Sequence, residues 1–86
     1  MKPADDDFEQ RTRDSFARQA AMRTLVATLQ TVEPGRAVIA MPHQQALTQQ
    51  HGFLHAGMIA TALDSACGYA AFTLMPADAA VLTIEY

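Results

Sequence analysis

An α+β fold, one long apolar helix set against antiparallel strands, is predicted by three features of the sequence. The first is a run from Ala56 to Met75 in which Asp64 is the sole charge after Gly57. The second is a pair of extended apolar segments joined by Glu33-Pro34-Gly35-Arg36. The third is a polar N-terminal stretch with helix-forming residues that precedes both. With 86 residues the chain holds one domain at most, residues 1–86.

Each element has its own justification. Residues 1–7 are polar and read as a flexible lead-in. Residues 8–23 form an amphipathic N-terminal helix with a narrow apolar face of Phe8, Phe16, Ala17, Ala20 and Ala21. Asp5, Asp6 and Asp7 stand at its start and Arg11, Arg13, Arg18 and Arg23 further along, matching the helix dipole. From Leu25 to Val32 the period changes to two, with Leu25, Ala27 and Leu29 on one side and Thr28 and Gln30 on the other. Pro34 and Gly35 occupy the central positions of a type II turn, and Ala37 to Met41 returns as the second strand until Pro42.

His43 to His55 is a Gln-rich loop, and the helix begins at Ala56. Apolar residues lie almost all round this helix, the pattern of a buried one. Thr61, Asp64, Ser65, Gly68 and Thr73 interrupt it and no basic residue flanks it, which argues against a membrane span. Pro76-Ala77-Asp78 then turns the chain into a third strand, Val81 to Tyr86, with no closing turn. Three short strands are too few to cover such a helix. The sequence reads as the N-terminal part of a larger fold.

Composition narrows the function. Half of the residues are hydrophobic, but seventeen of these are alanine, so the stock of large core side chains is small. A chain of this size buries only roughly 60–65% of its unfolded surface, which favours oligomerisation. The net charge of −3 lacks the basic footprint of a nucleic-acid binder. One cysteine, Cys67, rules out an internal disulfide, and the acidic start is no secretory signal, so a cytoplasmic location is expected.

Asp64 is the most informative residue. A carboxylate within an apolar helix is costly to desolvate, and such burial biases an ionisable residue towards function, with a purely structural Asp of equal weight beside that reading. Hydrogen bonding to Ser65 or Thr61 is the competing structural explanation. The segment Gln49 to Gly57 runs straight into the helix, whose first amides, at Ala56, Gly57 and Met58, face outward without helical partners. Such amides can hold a developing oxyanion. His55 lies nine residues before Asp64, so the two cannot stack on one helix face, and a joint site needs a second subunit or a returning loop. His43 and His51 have weaker claims, and three scattered histidines make no zinc motif. Cys67 reads as a small core residue, as do Tyr69 and Phe72.

Taken together, LTQQHGFLHAG from Leu47 to Gly57, Ala62-Leu63-Asp64-Ser65-Ala66 and Gly68-Tyr69-Ala70-Ala71 resemble the PaaI-like acyl-CoA thioesterases of the hotdog superfamily. In that family an Asn-x-x-Gly-x-x-His-Gly-Gly segment leads into a long helix carrying a Leu-Ala-Asp-like triplet. The resemblance covers about residues 25–86, and the spacing from His55 to Asp64 is its specific part. It implies a hotdog fold, with a curved antiparallel sheet wrapped round the helix. The helix of residues 8–23 would be an addition to it. It also implies dimers or tetramers with the active site between protomers, an acyl- or aryl-CoA thioester as substrate, and neither metal nor organic cofactor.

By resemblance Asp64 is the catalytic general base or nucleophile, and the amides of Ala56 and Gly57 after His55 bind the thioester oxygen. Gln49 stands where the family has Asn to orient water or substrate, and Thr83 falls near a Ser or Thr that assists the water. Phe53, Met58, Ile59 and Leu63 would set the depth of the acyl pocket. Ala56 replaces the first glycine of His-Gly-Gly, a change compatible with a role carried by the backbone. Two other readings stand beside hydrolysis: a non-catalytic acyl-CoA-binding module on the same fold, and a truncated fragment without activity. A hotdog dehydratase fits the local pattern less well.

Overall fold

The computed structural model describes residues 2–79, in the order α1 (Phe8–Arg18), α2 (Ala20–Thr24), β1 (Thr28–Glu33), β2 (Arg36–Ala40) and α3 (Ala56–Phe72). The third strand expected at Val81 to Tyr86, and Thr83 with it, lies outside the described residues.

The single N-terminal helix expected over residues 8–23 is two helices. Gln19 separates them with an extended backbone, φ −79° and ψ 103°. Its side chain is drawn away to α3, where Nε2 donates to the Tyr69 hydroxyl at 2.8 Å and Oε1 accepts from Ser65 at 3.3 Å. Ser15 meets the same tyrosine hydroxyl at 3.1 Å. Glu9 in the first turn and Arg18 in the last suit the dipole of α1 as expected.

Strand β1 starts three residues later than the alternation predicts. Leu25 instead ends α2 and is buried with Met22 and Leu47. Val26 turns the chain with a φ of 53°, and its amide bonds to the Arg23 carbonyl at 3.0 Å. Around that apolar centre pack Phe16, Ala27, Met41, Leu54 and Met58. β1 and β2 pair antiparallel, with a register shift between Leu29 and Thr31. Arg13 of α1 donates to the Leu29 carbonyl at 2.9 Å, tying the helix to the strand there. Gly35 has a φ of 77°, the value the third position of a type II turn requires.

Helix α3 is shorter than expected and, among the described residues, covered on one side. Arg11 of α1 closes its C-terminal end, with Nη2 donating to the carbonyls of Met75 at 2.9 Å and Phe72 at 3.4 Å. The same guanidinium lies 4.2 Å from the centre of the Phe72 ring and pairs with Asp5 at 3.1 Å. Tyr69 packs between Phe16 and Phe72, with ring centres 6.1 and 6.0 Å apart. Tyr69 and Phe72 are therefore core residues, as predicted. The described residues leave the opposite side exposed: Ile59 is 49% and Leu63 54% exposed. Cys67 follows them at helical spacing and is exposed, not the core residue its neighbours suggest. One hairpin and one helix pair cannot surround a helix that is apolar all round.

One hydroxyl links the hairpin turn to the end of α3. Thr73 is fully buried, accepts the Gly35 amide at 2.8 Å and donates to the Ala70 carbonyl at 2.7 Å. Thr73→Val keeps the shape and leaves the Gly35 amide without its partner. We expect a loss of about 1–3 kcal/mol, read as a lower Tm by roughly 4–8 °C per kcal/mol in a domain of this size. An unchanged Tm would show that the hydroxyl does not hold the hairpin.

Candidate active site

The loop ahead of α3 is shaped by its own backbone. A short 3₁₀ turn, Gln45–Leu47, leads to a bridge between Thr48 and Leu54. Inside that bridge the Gln49 amide donates to the Phe53 carbonyl at 2.8 Å, and the Gly52 amide to the Gln49 carbonyl at 3.1 Å. Gly52 takes a φ of 87°, a conformation that any side chain would strain. The tight loop turns Phe53 outward, 70% exposed. His43, remote in sequence, shares a 3.1 Å hydrogen bond with the Gly52 carbonyl from the flank of the loop. His51 is exposed.

His55 is the N-cap of α3, with extended φ −64° and ψ 133°. Its amide donates to the Leu47 carbonyl at 2.9 Å, anchoring the helix start to a buried residue. Its ring Nδ1 accepts the Gly57 amide at 3.0 Å, and its carbonyl accepts the Met58 amide at 2.9 Å. Two of the three outward amides are thereby occupied. The Ala56 amide donates to no group among the described residues. A Cβ on Gly57 would stand 3.3 Å from the His55 ring, close enough that the ring would have to shift slightly to admit it.

Gln49, Phe53, His55, Ala56 and Gly57 thus meet at one loop–helix junction. The Gln49 side-chain oxygen accepts the His51 amide, which leaves Nε2 as the end that can reach a ligand. Met58 packs into the Met22–Leu25–Leu47 centre, whereas Ile59 and Leu63 are exposed on the first half of α3. Asp64 is half-buried, less enclosed than an all-round apolar helix predicts. It lies eight residues beyond Ala56, about 12 Å along the axis at the rise of an α-helix. One chain therefore does not bring Asp64 and the Ala56 amide onto a single carbonyl carbon.

Sequence reasoning missed the Gln19–Tyr69–Ser65 contacts and the Arg11 clasp on the end of α3. Both join residues far apart in the chain, and neither residue stands in a recognisable motif. Among the described residues no group of His, Cys, Asp or Glu side chains could hold a metal ion, and no helix is long and apolar enough to cross a membrane.

No family model matches the chain, and no curated protein matches it. Among solved structures it is similar to that of a thioesterase family protein from Silicibacter pomeroyi, at 63% identity over 91% of the chain and a TM-score of 0.88. The chain spans 57% of that protein's length. A helix backed by an antiparallel hairpin, superposing this closely on such a protein, is a partial hotdog α+β fold.

Proposed function

We propose that this chain, which is similar in fold and sequence to a thioesterase family protein, hydrolyses acyl- or aryl-CoA thioesters to the free acid and CoA. The similarity at 63% identity across 91% of the chain carries this reading. The junction at His55 supplies the chemistry it needs. In the proposed reaction Asp64 takes a proton from water as the water oxygen attacks the thioester carbonyl carbon. The carbonyl oxygen gains negative charge and is held by the Ala56 amide. The C–S bond then breaks, and the leaving sulfur takes up the proton from Asp64. With Asp64 as nucleophile the carboxylate itself attacks the carbonyl and expels CoA as the thiolate, leaving a mixed anhydride. Water then cleaves the anhydride, which releases the acid, restores the carboxylate and supplies the proton that the thiolate takes up.

Because Ala56 and Asp64 stand about 12 Å apart along one helix, the amide and the carboxylate of one site come from two protomers. A homodimer, or a tetramer of such dimers, is the assembly this requires. Gln49 Nε2 is assigned to orienting the water or the thioester, and Thr83 to assisting the water. The exposed Phe53, Ile59 and Leu63 would take the acyl group, while Met58 supports them from the core side. His55 holds the amides of Gly57 and Met58, so that the Ala56 amide alone is left for the substrate. The PaaI-like group is the one this pattern fits, in a reducing, cytoplasmic setting with no metal or organic cofactor.

The test is release of free CoA from short-, medium- and long-chain and phenylacetyl thioesters. Detection should be chromatographic, since the exposed Cys67 thiol would itself consume a thiol reagent. Catalytic turnover on at least one substrate class is expected. Thermal protection by acyl-CoA without turnover over hours would replace hydrolysis with a binding role.

A further inference from the structure

We infer that Gln19 is a positioning residue that fixes the rotation of α3 about its own axis and so the direction of Asp64. The inference rests on the proposed role of Asp64. Gln19 grips two residues one turn apart on one face of α3, donating to Tyr69 at 2.8 Å and accepting from Ser65, the neighbour of Asp64, at 3.3 Å. Two hydrogen bonds to one face oppose a roll of the helix. The N-terminal helix breaks at this residue, and the extended backbone there separates the two helical segments while the side chain reaches α3.

Restraint of this kind matters because, among the described residues, α3 is packed from one side, with Ile59, Leu63 and Cys67 exposed. Arg11 and Thr73 hold its C-terminal end, and His55 its start. Between them, beside Asp64, stands Gln19. A side-chain tip lies about 5 Å from a helix axis, so a roll of about 12° carries the carboxylate about 1 Å. A misplacement of that size can cost about 10²-fold in rate.

Gln19→Met keeps the volume and removes both hydrogen bonds. Gln19→Glu restores them, with the Tyr69 hydroxyl now donating to one carboxylate oxygen and Ser65 to the other. In the full chain we expect Gln19→Met to lower kcat roughly 10–100-fold with KM changed by less than about two-fold, and Gln19→Glu to recover most of the rate. A nitroxide on Cys67, the one cysteine in the sequence, reports the rotation directly because it rides on the same helix. Gln19→Met should add a second spectral component, and Gln19→Glu should remove it.

Wild-type kcat in Gln19→Met, or an unchanged spectrum, overturns the proposal. So does a loss that follows the folded fraction by circular dichroism and is not rescued by glutamate. Asp64→Asn measured alongside separates the two claims. Full turnover in that variant removes the role of Asp64, and the spectra then decide the rotation alone.

Discussion

Replacing Asp64 by asparagine is expected to leave the protein folded and to lower kcat by about 10²–10⁴-fold, the usual contribution of a positioned base. In free energy that is roughly 3–5 kcal/mol of transition-state stabilisation. Asparagine matches aspartate in size but cannot accept the proton of the attacking water or attack the carbonyl itself. The loss is therefore expected for either role. Asp64 sits half-buried on α3, and asparagine keeps its size and shape there. KM should change little, since the carboxylate acts on charge that develops only at the transition state. The measurement is steady-state CoA release with circular dichroism on the same samples. Turnover near that of the parent protein would take the chemistry away from Asp64.

The elements that local chemistry decides were legible in the sequence. The hairpin turn follows from Pro34 and Gly35, because proline presets one dihedral and glycine admits the positive φ of 77°. The start of α3 at Ala56 follows from the small residues after His55 and the long apolar run. What the sequence concealed is decided at long range. Gln19, between alanines and arginines, sits in a stretch of good helix formers, and its break depends on partners 46 and 50 residues away. Leu25 alternates correctly for a strand, yet burial against Leu47 places it in the core at the end of α2.

The same division holds at the candidate site. An all-round apolar helix has no periodicity to mark a face, so nothing in the sequence set Cys67 outside and Tyr69 inside. The outward amides of α3 could be counted in advance, but their fates could not. That His55 would use its own ring and carbonyl to occupy two of them follows from its rotamer and its extended backbone. The sequence pointed to Ala56 and Gly57 together; His55 Nδ1 accepts the Gly57 amide, and the proposal therefore takes Ala56 as the donor.

That distinction gives a test in which one hydrogen is removed. Ala56 is the first residue of α3, the helical position at which proline is best tolerated, because the amide there has no helical partner to lose. His55 before it already has ψ 133°, within the range that a following proline imposes. Ala56 is exposed, so the ring meets solvent. Ala56→Pro should therefore retain the helix and the fold while deleting the N–H assigned to the thioester oxygen. Loss of one such donor costs about 10²–10³-fold in kcat. Ala56→Gly serves as the control, since it changes the side chain and keeps the amide, and it should hold near the parent rate. A folded Ala56→Pro protein with undiminished kcat would mean that the oxyanion is held elsewhere. Equal losses in the proline and glycine variants would assign the effect to the methyl group instead. Only a loss confined to proline identifies the amide, because the two variants share the missing alanine side chain and differ in whether an N–H remains.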